Sequence, residues 1–512
     1  MATDLQLDTL EARGLIRVAS LQPELEYLFR HALLQDTAYE SLLKQERRAL
    51  HHVVGTALED LYPDRLGDMA AVLALHFEQA GDSQKAVHYL YEAGQFAIDR
   101  NAIVEAYDLY TRAAALLPER TEDESADLRK LRIKIQLGRA RAGFTFLPEE
   151  EGLAAVEPLV ADARALGDLR LEADLHLTIS LLEQFRGVSP EENERLRSSL
   201  ERVSEIAAEL DDPLIAALPE SIVGLFRVFT GDLHGGIALL EKTAPQLEKK
   251  HDFVGSSFAL MALGIGYARI GEFDKADEIL ERARNLADKG DIIAKLDTLI
   301  GTSWVNSARG DLDKAIPIAM ECTTMAEEAG ASACIVASNF VLGDAYLRKG
   351  NFGGAKIALD RSTEVADTLE QRQFRPTIAA LARLNATHLG DLDSGAMTFD
   401  QAIEEARSFG DRWAEATVYW KRGETEARKA VAEIDVAQML ADFEHAVAEF
   451  EDMGGRPYKA RALRDWGNAL KKIGRNEQGD TKLREAIALF DEMGIKREAN
   501  EARDELQGVG SV

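Results

Sequence analysis

The chain has 512 residues, 46% hydrophobic and 29% charged, with a formal net charge of −29. That balance is too apolar for a disordered chain, and its acidity argues against binding nucleic acid through the repeats or an anionic membrane. No apolar run approaches the roughly 20 residues that span a bilayer; the longest is Phe258 to Ala268, and the N-terminus lacks the basic and apolar regions of a signal peptide, so the expected location is the cytoplasm.

Taken in chain order, residues 1 to 60 stand apart. Leu10 to Val18 reads as a helix end running into a short strand, Leu25 to Phe29 as a second strand, and Arg30 to Leu43 as the start of a helix. Such a two-stranded wing is marginal by itself. Residues 61–120 read as the first helical hairpins, 121–508 as a helical repeat array and 509–512 as a tail.

The array is marked by two ladders of glycine. Gly231, Gly271, Gly310, Gly350 and Gly390 follow one another at steps of 40, 39, 40 and 40 residues; Gly81 precedes them, Gly474 continues them, and Gly143 and Gly187 extend them upstream. Gly290, Gly330, Gly410, Gly454 and Gly494 form the second ladder, about 20 residues out of step. Two helices per unit, each closed by a glycine, explain both. Between them Leu260, Leu263, Gly264, Tyr267, Ala276, Leu280 and Ala283 keep helical spacing. Gly264 and Ala276 allow close approach, while Leu260, Tyr267 and Leu280 fill the space between.

This pattern recurs as Leu342, Gly343, Tyr346, Gly350, Ala355 and Leu359, and as Leu463, Trp466, Gly467, Leu470, Leu483 and Ala486. It resembles the tetratricopeptide repeat, with longer helices than the usual 34-residue unit, and departs from it at Asn306, Gly395 and Gly479. The resemblance implies an all-α, tetratricopeptide-type solenoid, a right-handed superhelix of helix hairpins with a small winged-helix-like N-terminal piece. Arg30 to Leu43, with Arg47, Arg48, His51 and His52, resembles the end of the winged-helix region of signal-transduction ATPases, as attached to class III adenylate or guanylate cyclases and to maltose-activator-type regulators. In those families an NTPase module precedes the winged helix and the repeats follow as sensor. The resemblance implies a chain that begins partway through a domain and serves as the sensor or regulatory arm of a signalling protein. ATPase and cyclase activity do not carry over, because no GxxxxGK[ST] phosphate loop occurs.

No catalytic, cofactor or metal site is expected. The ten histidines form no HExxH, and Cys322 and Cys334 are not in a CxxC pair and read as small buried hydrophobes. Adjacent His51 and His52 point to different helix faces. His76 beside Phe77 reads as a packing position, and Glu149-Glu150-Glu151 and Glu191-Glu192 as solvated faces or helix N-terminal charges.

What remains is the concave groove that the first helix of each unit lines. With the phase set by Gly264, the inward positions include Phe258, Met261 and Arg269, then Ile300 and Trp304, then Phe340, Asp344 and Arg348, then Trp420, and finally Arg461, Arg464, Asn468, Lys471 and Lys472. Two candidate surfaces emerge. Phe258, Met261, Trp304 and Phe340 make an apolar and aromatic set, which a one-residue phase change would turn into core. The last five make a basic cluster on an acidic chain, either half of a clamp for an acidic peptide end or a solvated terminal cap of the kind solenoids need. The partner expected is a protein or peptide, or else a small molecule. A stand-alone peptide-binding adaptor is the alternative to the sensor arm, and an enzyme with an unrecognised site is the remaining one.

Overall fold

The structure is a computed structural model. It describes residues 2–20, 26–100, 102–121, 123–144, 149–185, 194–249, 253–288, 292–369, 372–391 and 397–507. The chain forms two compact units, residues 1–96 with 108–121, and residues 97–107 with 122–512.

In the first unit the helix Ala2–Ala12 leads into antiparallel strands Ile16–Ser20 and Glu26–Phe29, with Ile16 opposite Phe29. Leu25, expected in the second strand, lies outside the described residues. The helices Ala32–Glu40, Lys44–Leu61 and Ala70–Ala80 follow. Phe77 is fully buried, and a Cβ at Gly55 would stand 2.9 Å from its ring, so the glycine lets these helices close on the phenyl group. His51 and His52 diverge as adjacent helical residues must. His51 Nε2 meets Tyr39 Oη and its Nδ1 meets His76 Nδ1, both at 3.0 Å, while His52 lies edge-on to Phe77. Burial lowers the pKa of His51, and burial together with His51 lowers that of His76.

The second unit is a tetratricopeptide-type α-solenoid. Its hairpins pair Pro213–Thr230 with Leu233–Lys249, Phe253–Ile270 with Phe273–Ala287, Ile292–Arg309 with Leu312–Ala329, and Ser332–Arg348 with Phe352–Thr368. Arg375–Leu389 then pairs with Phe399–Ser408, Arg412–Arg428 with Val436–Asp452, and Arg456–Lys472 with Asn476–Glu492, before a last helix, Lys496–Gln507. Each hairpin exposes an apolar face that its neighbour covers, so the stability of any one depends on the next. One helix among the described residues, Pro213–Thr230, is long and apolar enough to cross a membrane by length and composition. The sequence reading missed it; Ile215, Leu225, Phe226, Val228 and Phe229 along it are buried within the unit.

The glycine ladders end helices as their spacing suggests. Gly271, Gly310, Gly350, Gly390 and Gly474 all have positive φ, and the residue after each donates its N–H five residues back, as Asp311 does to Asn306 O at 2.9 Å. Gly143 departs from the ladder: it is the buried last residue of the helix Ala126–Gly143. Gly187, Gly290 and Gly395 lie outside the described residues. The packing glycines are equally specific. A Cβ at Gly264 would stand 3.1 Å from Leu280, at Gly343 2.6 Å from Leu359, and at Gly467 2.9 Å from Leu483. Gly479, which departs from the repeat's usual alanine, faces the Gly467 carbonyl at a distance that would put a Cβ 2.7 Å from the oxygen.

Candidate functional site

The inward face of the first helices repeats every 40 residues or so. Two residues before the loop glycine, Arg269 donates from Nη1 to Val228 O at 2.6 Å and Phe229 O at 3.0 Å, the otherwise unsatisfied end carbonyls of the helix one repeat earlier. Arg348 likewise reaches Ser307 O at 2.8 Å, which also accepts from the Gly310 N–H, and Lys472 reaches Ala427 O at 2.7 Å and Lys429 O at 2.8 Å. Cations at helix C-termini also complement the helix dipole. The sequence carries this signal as a basic residue two positions before Gly271, Gly350 and Gly474.

Further up the same face stand the aromatic residues. Trp304 packs on Phe229 with ring centres 5.9 Å apart and on Phe340 at 5.3 Å, and Phe374 stacks on Phe340 at 5.5 Å. Later repeats close over them. Trp413 lies against Arg269, whose guanidinium carbon is 4.0 Å from the ring centre. Met453 and Met493 press on Gly231 and Gly271, leaving no room for a Cβ at either. The inner face is therefore not an open groove. Trp304 is 5% exposed, and Met261, Phe340 and Trp420 are buried as well.

Burial is not complete filling. A cleft is lined by Phe258, Met261, Ile300, Trp304 and Phe374, with Asp297 and Cys334 among its polar atoms. A second shares Phe229, Trp304 and Phe374 with the first and adds Arg269, Phe340, Asp411 and Trp413. A third continues past Trp304 and Phe340 to Asp344 and Trp420. The structure thus brings Phe258, Met261, Trp304 and Phe340 together around connected space. Phe258 is half-buried and Met261, Trp304 and Phe340 are buried, and each lines one of these clefts.

The electrostatics of the second cleft centre on one pair. Burial lowers the pKa of Arg269 to about 10, partly offset by Tyr458 and Asp411, so the group stays cationic at neutral pH. Burial pushes Asp411 up to about 6, against the Ala414 N–H and Arg269, which favour its charged form.

The basic cluster is placed differently from either expectation. Arg461 is 2% exposed and grips Glu498, itself 1% exposed, while its Nη2 reaches Ala308 O at 2.6 Å. Arg348 Nη2 adds a 3.2 Å contact to Glu498. Burial would raise the Glu498 carboxyl, but Arg461, Arg348 and Arg464 outweigh it and hold it well below the usual carboxylate range. Arg464 pairs with Asp465, Asn468 hydrogen-bonds Glu505, and Lys471 donates to Glu505 O at 2.6 Å. Trp420 donates to Asp465 at 2.9 Å. The last helix, Lys496–Gln507, brings most of these acceptors, so Arg461, Arg464 and Lys471 tie it down, while Lys472 is exposed and caps the helix Arg412–Arg428. The sequence reading missed Glu498, Asp411, Phe374 and Trp413, which approach from repeats far along the chain and carry no local signal.

No protein-family model matches the chain. An uncharacterized protein of Rhizobium meliloti (strain 1021) is 30% identical over 157 residues, which is 31% of this chain and 15% of that protein. The chain therefore spans about 15% of the curated relative it matches. A Rap protein complexed with competence and sporulation factor has a similar structure at a TM-score of 0.41 and 12% identity, over 80% of this chain and 99% of that one. The hetero-tetramer Cut9-Hcn1 of the APC/C aligns at a TM-score of 0.47 and 15% identity, over 92% of this chain and 94% of that one.

Proposed function

We propose that this chain is a non-catalytic, ligand-sensing arm that acts in the cytoplasm and regulates a signalling ATPase or nucleotide cyclase. The observation that carries the sensing role is the connected cleft space inside the array, walled by Trp304, Phe340, Phe374 and Trp413. Concave, mostly apolar clefts with a few convergent polar groups are what small-molecule sites are made of. Walls drawn from repeats far apart in sequence let one ligand bias how those repeats close. The link to a signalling ATPase or cyclase rests on the resemblance of Arg30 to His52 to a winged-helix end. The adaptor alternative has less support, because the cations expected to hold an acidic peptide already have internal partners.

The test is a titration of the purified chain with a panel of metabolites and short peptides, read by tryptophan emission and thermal melting. A ligand that binds only the folded state raises the melting temperature in proportion to the logarithm of its concentration above Kd. The expected result is a small-molecule class that shifts both readouts in the wild type and neither in Trp304→Ala. A panel that moves nothing refutes the sensor; a response to peptides alone favours the adaptor.

A further inference from the structure

From the Arg269 guanidinium, buried in an aromatic cleft with an unused donor, we infer that the ligand is a small organic monocarboxylate with an apolar or aromatic body, its carboxylate seated on Arg269. The inference rests on the sensor reading above and adds the chemistry of the ligand.

Arg269 is 2% exposed, and its Nε has no hydrogen-bond partner among the described residues. A buried polar donor without a partner is costly, and a buried guanidinium more so unless it is paired. Other arginines inside this unit meet that demand with a carboxylate held by two nitrogens. Arg461 has Glu498 at 2.8 and 2.7 Å, and Arg422 has Asp442 at 2.9 and 2.8 Å. Arg269 has only carbonyls and rings: Val228 O, Phe229 O, and the faces of Trp413, Trp304 and Phe229 at 4.0, 5.5 and 5.5 Å. Capping the earlier helix explains its Nη1. It does not explain a free Nε beside the cleft that Phe229, Trp304, Phe374 and Trp413 line.

The surroundings set the charge and body of the ligand. One guanidinium with Asp411 close by suits a single negative charge, and a phosphate dianion would lack a second cation. A carboxylate matches the planar fork of arginine. The walls are mostly aromatic faces, with Thr230, Gln373 and Thr377 beside them, which suits a mostly apolar remainder.

Three probes decide it at pH 7: 3-phenylpropanoate, its neutral amide 3-phenylpropanamide, and inorganic phosphate, each followed by calorimetry and tryptophan emission. The acid is expected to bind at least tenfold tighter than the amide or phosphate. Arg269→Gln should bring the acid to the level of the amide and leave the amide within twofold. Asp411→Asn, which can still cap the helix Arg412–Arg428, should tighten the acid several-fold by removing a competing carboxylate. If Arg269→Gln does not fold, as judged by circular dichroism, the Asp411→Asn result decides alone, and no tightening overturns the inference. Equal binding of acid and amide overturns the carboxylate assignment while the cleft stands as a site. Tighter phosphate overturns it likewise. No binding by any probe overturns this inference, while the sensor reading stands or falls on the wider panel.

Discussion

Arg461 and Glu498 meet through two parallel hydrogen bonds, Nε to Oε1 at 2.8 Å and Nη2 to Oε2 at 2.7 Å, with both side chains about 2% exposed. The same Arg461 nitrogen reaches Ala308 O, 153 residues earlier in the chain. One ion pair therefore fixes the last helix and ties late repeats to early ones. Removing one partner strands a buried charge, which costs about 3–5 kcal/mol. Glu498→Ala should lower the stability of the array by that amount in urea unfolding, and expose the helix Lys496–Gln507 to proteolysis. The double replacement Arg461→Met with Glu498→Leu should recover most of the loss, because a well-packed apolar pair avoids the desolvation cost. A double variant as unstable as the single one would show that the contact to Ala308 O, not the charge, holds the repeats together.

Asp411 gives a pH dependence of opposite sign to an ordinary ion-paired carboxylate. Its folded pKa is raised to about 6 by burial, against Arg269 and the Ala414 N–H and reinforced by nearby Glu415. The folded state thus holds its proton more tightly than the unfolded chain. This contribution to stability is fully present below the unfolded pKa of about 4 and is lost as pH rises through about 6. The wild type should lose on the order of 2 kcal/mol relative to Asp411→Asn between pH 4 and pH 7. A flat difference between their unfolding curves across that range would place the charged carboxylate in a better-solvated setting.

Much of the fold was legible because glycine has two separate uses here, and both leave marks at fixed spacing. Loop glycines such as Gly310 supply positive φ; packing glycines such as Gly343 supply room for a facing leucine. The inward phase of Phe258, Met261 and Trp304 followed from Gly264. What could not be read is the closure of the face. Trp413 comes to Arg269, and Glu498 to Arg461 and Arg348, from repeats that local periodicity does not relate. A basic residue aimed inward looks the same in sequence whether it awaits a ligand or already holds an internal acid.

The same glycine-to-alanine substitution has opposite expected outcomes at two positions of a single hairpin. A Cβ at Gly343 would stand 2.6 Å from Leu359, whereas Gly353, in the helix Phe352–Thr368, has nothing within 4 Å. Gly343→Ala should destabilise by roughly 1–3 kcal/mol through overpacking. Gly353→Ala should stabilise by about 0.4–1 kcal/mol by restricting the unfolded chain. Chemical denaturation of the two variants separates them; the same sign for both would mean that the leucine yields without cost.

The cysteines test whether the first cleft admits reagents. Burial pushes the Cys322 thiol up to about 12, with Asp297 adding to it, and burial raises Cys334 well above the usual thiol range. Only the thiolate attacks, so neither should react at neutral pH in the folded chain. A bulky charged disulfide reagent should find no thiol in the native protein and two in denaturant. Cys334 differs from Cys322 in lining the cleft beside Phe258 and Met261. A small apolar maleimide at high pH should therefore label Cys334 first, and a ligand occupying the cleft should slow that labelling while leaving Cys322 unchanged. Equal labelling rates for the two cysteines would mean that reagents enter by unfolding of the repeats and not through the cleft.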